Sequence, residues 1–110
     1  MNRPELNKFK REHFQLTKRI IPNAIIHDPN TTKEHRRLVI EICEWAKVHN
    51  LTFYTRAFLK NGKNVDVVIP DLPKPFIEIR NSEEKKYKEY LADQKLITQF
   101  VDVSNPYKLL

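Results

Sequence analysis

Three charged side chains interrupt two apolar stretches of the sequence. Asp66 lies between valines in VDVVI, while Glu78 and Arg80 alternate with isoleucines in FIEIR. Successive residues of a strand face opposite sides, so Glu78 and Arg80 share one face. If the two stretches form a hairpin, Asp66 joins them on that face. The odd-numbered side chains then form a continuous apolar core face, which comprises Val65, Val67, Ile69, Ile77 and Ile79.

Two neighbouring carboxylates repel one another unless a cation neutralises them. Mg²⁺ suits such a pair, because it takes one or two carboxylates, keeps several waters and completes its shell with phosphate oxygens. Asp66 and Glu78 therefore predict a Mg²⁺ or Mn²⁺ site for phosphodiester hydrolysis, in which Arg80 contacts the phosphate or the attacking water. The competing interpretation is an exposed sheet face, on which the two acids form cross-strand ion pairs with Arg80 and Arg56.

Two helices are predicted before these stretches. Pro4 suits a first helical turn, and the basic segment from Pro4 to Ile21 is interpreted as the first helix. Thr31 or Thr32 offers an N-cap for the second helix, which is predicted to end near His49. Its apolar stripe recurs at three- and four-residue spacing and contains His35, Leu38, Val39, Ile42, Trp45 and Ala46.

The rest of the chain predicts a sheet. Aromatic and β-branched residues indicate three strands, at 51–59, 65–69 and 76–80, with a hairpin turn at Asn61-Gly62. A helix over 81–93 and a strand over 97–103 follow. A meander followed by a right-handed crossover to one more strand specifies a mixed α/β sheet flanked by helices.

The order αβββαβ, with Asp66 in the second strand and Glu78-Ile79-Arg80 in the third, resembles the PD-(D/E)XK nuclease superfamily, which has a restriction-endonuclease-like fold. The similarity extends from Thr32 to Val103, and the stretch GKNVDVVIP…FIEIRNSE resembles the small nuclease-like members. The resemblance implies that Asp66, Glu78 and the backbone carbonyl of Ile79 bind the metal. It also implies that Arg80 takes the position of the superfamily's lysine.

The resemblance further implies that an acidic residue of the first core helix completes the site. Glu34 is the first choice, since it lies near the helix start beside His35, and Glu41 is the alternative, with His35 also open. Arginine is always protonated, so Arg80 stabilises charge on a phosphate but does not act as a base. Three functions therefore stay open: a small metal-dependent deoxyribonuclease, a catalytically inactive nucleic-acid-binding module on the same fold, and a protein-interaction factor.

The net charge of the chain indicates what kind of partner it binds. The 110 residues include 20 Lys+Arg against 14 Asp+Glu, which gives a net charge of +6. A basic surface attracts nucleic acid, and DNA is the expected partner. Cleavage of both strands by so small a protein calls for a homodimer. The expected phosphate contacts lie in the N-terminal segment and the hairpin turn, and are Lys8, Lys10, Arg11, Lys18, Arg19, Lys60 and Lys63.

Length and composition predict a single domain, in which a basic N-terminal helix and connector (1–30) precede the αβββαβ core (31–110). No apolar run reaches the roughly 18 residues of a membrane span, and no secretory signal is present, so a cytoplasmic location is expected. The single cysteine, Cys43, excludes an internal disulfide. The single glycine, Gly62, excludes a glycine-rich phosphate loop.

Overall fold

The computed structural model describes residues 1–18, 20–80 and 98–102, and of Arg80 and residues 98–102 it describes the backbone alone. Its helices are α1 (Arg3–His13) and α2 (Lys33–Val48), and its strands are β1 (Tyr54–Phe58), β2 (Asn64–Val68), β3 (Phe76–Arg80) and β4 (Thr98–Asp102). Arg19 and the helix predicted over 81–93 lie outside the described residues. No helix within these ranges is long and apolar enough to cross a membrane.

The four strands form one mixed sheet in the order β1-β2-β3-β4. The first three are antiparallel neighbours, as the meander predicts. β4 lies parallel to β3, with Ile79 opposite Val101 and Arg80 opposite Asp102. The chain therefore has a mixed α/β architecture, and β3 runs through the interior of the sheet.

α2 begins at its predicted cap. The hydroxyl oxygen of Thr32 accepts a hydrogen bond from the backbone N–H of His35 at 3.1 Å, which satisfies one of the open donors of the first turn. Asn50 follows the helix with a φ of 55°, a conformation that asparagine tolerates better than most residues. The buried face of the helix contains Leu38, Val39, Ile42, Cys43 and Ala46.

α1 ends earlier than predicted because the chain turns into the sheet. Phe14, directly after the helix, forms an antiparallel bridge with Leu59. The N–H of Gln15 then donates to the carbonyl of Phe58 at 2.9 Å. These groups pair with the end of β1, so they are not available to continue a helix.

The two helices cover opposite faces of the sheet. On one, the α2 face, the helix packs on Phe53, Val67, Ile69, Ile77 and Ile79. On the other, the α1 face, Phe14 clusters with Tyr54, Ala57, Leu59, Val65, Val68 and Phe76. Phe9 of α1 stacks on Phe76 with 5.8 Å between ring centroids. The sheet therefore lies between α1 and α2.

The predicted continuous apolar face is wrong at one residue. Val65 lies on the α1 face, whereas the other four valines and isoleucines lie on the α2 face. The cause is an irregularity at Arg56 and Asp66, the one opposed pair missing from the β1–β2 ladder. Arg56 has a φ of 50°, so its backbone is left-handed inside a strand. The alternation of side chains changes phase at this point.

Candidate functional site

Asp66 and Glu78 meet where β2 and β3 stop pairing. Among the described residues, the β2–β3 ladder ends with Val67 opposite Ile77. Beyond it, the N–H of Asp66 donates to Oε1 of Glu78 at 3.0 Å. The N–H of Ile79 donates to Oδ2 of Asp66 at 2.9 Å. Each acid thus accepts a backbone hydrogen bond from the opposite strand, and we call this arrangement of Asp66, Glu78 and the Ile79 backbone the β2–β3 seam.

The phase change in β2 explains why carboxylates occupy this position. The N–H of Ile69 donates to the carbonyl of Pro75. In a regular ladder, the backbone N–H and C=O groups of the odd-numbered residues of β2 would therefore point toward β3. A regular ladder would turn the N–H of Asp66 toward β1. Here that N–H is turned toward β3, and Glu78 accepts it. Leaving a buried N–H without an acceptor costs about 1–3 kcal/mol, so both carboxylates stabilise the irregular strand.

Both acids are shielded from solvent. Glu78 is only 1% exposed, and the side chain of Asp66 is 16% exposed. The N–H donors stabilise negative charge on each carboxylate, since a hydrogen bond to an ionised acceptor is stronger than a neutral one. The interpretation of Glu78 as a solvated residue on an open sheet face therefore does not fit its burial.

His35 is the residue of α2 that reaches the seam. Its Nε2 lies 3.3 Å from Oδ2 of Asp66, and its side chain is 12% exposed. Its Nδ1 is buried without a hydrogen-bond partner among the residues described. The sequence contained a signal for this contact, because His35 occupies an inward position of the helical stripe. The N-cap at Thr32 sets where that stripe begins.

Glu34 and Glu41 are both on the exposed surface of α2. Oε1 of Glu41 is 3.8 Å from Nε of Arg37, as an i,i+4 pair. Glu34 lies in the first helical turn, where a negative charge complements the helix dipole. In the described part of the chain, no three His, Cys, Asp or Glu side chains are grouped to hold a metal ion. Neither helix acid therefore joins Asp66 and Glu78 there.

A small pocket opens beside Asp66, between α2, β1 and the connector that precedes α2. The connector is tied to β1 by the Thr55 hydroxyl, which donates to the carbonyl of Ala24 at 2.7 Å and accepts from the N–H of Ile26 at 2.9 Å. Nη1 of Arg56 is 3.4 Å from Oδ2 of Asp28, so Asp28 is an ion-pair partner of this arginine. The lining includes His27, Asp28, His35, Arg36, Arg56 and Asp66.

The predicted DNA-binding residues of the two basic segments lie close together at one end of α1. The N–H of Lys60 donates to the carbonyl of His13 at 2.9 Å. This bond fastens the hairpin turn, with Lys60 and Lys63, to the last turn of α1, with Lys10 and Arg11.

The other two described members of the predicted set have local partners. Nζ of Lys18 lies 5.5 Å from the ring centroid of Phe58. Nζ of Lys8 is 3.8 Å from Oε1 of Glu12. Both contacts are on the surface, where such interactions contribute little to stability and leave the cations accessible to a polyanion.

No family model, curated protein or solved structure matches this chain. Its function is therefore inferred from its own residues.

Proposed function

We propose that this chain is a small metal-dependent deoxyribonuclease that hydrolyses DNA phosphodiester bonds at the β2–β3 seam. The observation that carries the proposal is the position of Asp66 and Glu78, twelve positions apart in sequence, at one place between β2 and β3, where each carboxylate accepts a backbone hydrogen bond from the opposite strand. The order of the described elements is compatible with the restriction-endonuclease-like core that the sequence resembles. Cleavage of both strands calls for a homodimer.

The donors at the seam suit a hard divalent cation. Asp66 and Glu78 offer carboxylate oxygens, and the Ile79 carbonyl is the third ligand that the resemblance implies. A carboxylate has about four acceptor sites, so one N–H contact is compatible with a cation on the same group. Mg²⁺ needs only one or two carboxylates, so no third acid is required. When bound, Mg²⁺ or Mn²⁺ supplies an activated water and polarises the phosphodiester.

The residues of the chain hold the two carboxylates in position and balance the charge at this site. The N–H groups of Asp66 and Ile79 hold the two carboxylates in position. His35 restrains Asp66 from the α2 side. Arg80, two positions after Glu78 on β3, offsets the negative charge that grows on the phosphate, because its guanidinium is always protonated.

Near-isosteric variants of the two acids test the catalytic proposal. We expect Asp66→Asn and Glu78→Gln each to lower Mg²⁺-dependent cleavage of plasmid or branched DNA at least about 100-fold, because each removes an anionic metal ligand. Glu41→Gln, on the exposed surface of α2, is the matched control and should cleave normally. Undiminished cleavage by both seam variants would overturn the proposal.

Metal binding has a separate readout that needs no turnover. A cation that binds only the folded state stabilises it by about 2.7 kcal/mol at one hundred times its dissociation constant. Thermal unfolding should therefore shift upward with Mn²⁺ in the wild type and in Glu41→Gln. The shift should disappear in Asp66→Asn.

Nucleic-acid binding without catalysis is the second candidate function. It is favoured by the backbone contacts that already engage both carboxylates, and by arginine in the place of the superfamily's lysine. In this case the wild type binds DNA with a steep salt dependence but shows no turnover with Mg²⁺ or Mn²⁺. Cleavage that appears only in Arg80→Lys would support this candidate over the first.

A further inference from the structure

An open groove of about 620 Å³ runs along the first turns of α2, beside the connector. Four of its six lining residues are lysine, arginine or histidine, whose aliphatic and ring carbons make most of the lining surface apolar, and none of the lining residues in the described part of the chain is acidic. We call this surface the α2 groove; it is lined by His27, Pro29, Lys33, Arg36, Arg37 and Ile40.

The cations of the α2 groove are available to a ligand in different ways. Nη1 of Arg36 donates to the carbonyl of Thr31, which anchors the guanidinium at the base of the helix. Lys33 is exposed. Arg37 is 69% exposed, and its only described ion pair is the surface contact with Glu41. Exposed pairs of this kind are worth less than about 1 kcal/mol, so a phosphate competes readily for Arg37.

The groove adjoins the pocket at Asp66, since the two share His27 and Arg36 in their linings. His35, on the same helical turn as Arg36, contacts Asp66 directly. A polyanion in the groove therefore lies on the α2 side of the sheet, next to the residues that surround Asp66. The basic end of α1 lies across the sheet from α2, because Phe9 packs on Phe76 on the opposite face.

We propose that the α2 groove holds the phosphate backbone of DNA beside the β2–β3 seam, with Lys33, Arg36 and Arg37 as phosphate contacts. The inference rests on the proposed function, because it positions the substrate of that same site. The positive end of the α2 dipole adds to the field of the three cations. Contacts to phosphate orient a duplex without reading its sequence, so the groove binds DNA of any sequence.

A double variant, Lys33→Gln with Arg37→Gln, tests the groove. It removes two accessible charges and retains Arg36, which anchors the connector. Binding of a fluorescein-labelled DNA duplex is measured by anisotropy in EDTA, so that cleavage does not interfere. We expect at least tenfold weaker binding. The slope of log affinity against log salt should fall by about 0.9 for each lost phosphate contact, or about 1.8 for two.

Two further variants separate a local contact from the effect of net charge. Lys47→Gln is the control: it removes an exposed cation from the last turn of α2, where its Nζ is 3.5 Å from Oε1 of Glu44, and so breaks a surface ion pair much as Arg37→Gln does. It should bind the duplex within about twofold of wild type, because screened charges outside the interface contribute little. Lys8→Gln with Arg11→Gln removes two charges from α1, the other basic surface expected from the sequence, and should weaken binding less than the groove variant does.

The outcomes distinguish this inference from the nuclease proposal. Loss of binding in the α1 variant alone, or equal loss in both double variants, would contradict the α2 groove as the DNA site. Neither result would contradict hydrolysis at the β2–β3 seam. Binding that depends on the groove in a protein that does not cleave with Mg²⁺ supports the groove and refutes the nuclease. A wild type that binds no duplex, but binds phosphatidylglycerol vesicles through Lys33 and Arg37, overturns the groove as a DNA site.

Discussion

Arg56 holds a left-handed backbone conformation, with a φ of 50°, inside β1. For a residue with a side chain this conformation costs about 1–2 kcal/mol, so the surrounding structure must impose it. Arg56 and Asp66 are the two positions that the β1–β2 pairing skips, and both line the same pocket. The strained backbone and the turned N–H of Asp66 therefore belong to one irregularity, which creates the seam.

Glycine and alanine at position 56 should have opposite effects on stability. Both remove the surface ion pair with Asp28, but only glycine relieves the left-handed strain. We expect Arg56→Gly to unfold in urea with a free energy no lower than wild type and up to about 1 kcal/mol higher. Arg56→Ala should be less stable than wild type. Equal destabilisation by both substitutions would show that the backbone is not strained.

The thiol of Cys43 is buried within the α2 face. Burial raises its pKa to about 12, so the thiolate that reacts with alkylating reagents is scarce at neutral pH. We therefore expect iodoacetamide to label the folded protein far more slowly than the protein in denaturant. Comparable labelling rates in the two states, followed by mass spectrometry, would contradict the buried position.

α1 is attached to the sheet by its last turn and by the residues that follow. His13 lies against Phe9 and Phe76, with ring centroids 4.6 and 5.2 Å away. Burial lowers the pKa of His13 below its usual 6.5, and Lys60 acts in the same direction against Glu12. The buried position of His13 against Phe9 and Phe76 therefore favours the neutral imidazole. The packing of α1 on the sheet should for this reason depend on pH.

The sign of this coupling follows from proton binding. The unfolded chain takes up a proton at His13 more readily than the folded protein, because the pKa in the folded state is lower. The stabilisation is complete above the unfolded pKa and is lost as pH falls through the folded one. We expect the free energy of unfolding to drop as the pH falls below the usual histidine pKa of 6.5, and to drop less in His13→Phe. Identical pH dependence in the two proteins would contradict this assignment.

Elements with strong local patterns could be predicted from the sequence. The cap at Thr32 marked the start of α2, and β3 has its predicted bounds. The early end of α1 could not be predicted, because Phe14 leaves the helix for a partner forty-five residues away, Leu59. The left-handed Arg56 could not be predicted either, since arginine does not favour that conformation and long-range packing imposes it.

The same distinction applies to the site. The spacing of Asp66 and Glu78 was enough to predict that they lie on two paired strands. The expected shared face did not follow, because Glu78 alternates with Ile77 and Ile79 of the α2 face, whereas Asp66 contacts His35 of α2. The backbone hydrogen bonds that the two carboxylates accept were not predictable, because they depend on the phase change in β2. The choice among Glu34, His35 and Glu41 needed the helix orientation, which brings His35 to Asp66.

At the scale of the molecule, two apolar clusters in the described part of the chain share the strands of one sheet. Ile42 is fully buried on the α2 face and Phe14 is fully buried on the α1 face. Because neighbouring residues of β2 and of β3 belong to different clusters, loss of packing on one face removes support from the other. We therefore expect both faces to unfold in a single transition.

Truncations on opposite faces test this coupling. Phe14→Ala should cost about 3–5 kcal/mol and Ile42→Ala about 2–5 kcal/mol. Trp45 packs against the α2 cluster, so its fluorescence reports that face. In Phe14→Ala, the Trp45 transition should move as far as the transition seen by far-ultraviolet circular dichroism. Val48→Ala, at a site that is 77% exposed, should move neither. An unfolding midpoint, followed by Trp45 fluorescence, that is the same in Phe14→Ala and in the wild type would contradict the coupling.

β3 carries Glu78 between an antiparallel neighbour and a parallel one. Parallel neighbours require a long connection, so β4 must come from far along the chain. During synthesis, β3 therefore leaves the ribosome well before residues 98–102, and one side of it has no neighbour until they emerge. An uncovered strand edge is a template for pairing with another nascent chain. We therefore expect β4 to cover the edge of the strand that carries Glu78 and to lower aggregation of the newly made protein.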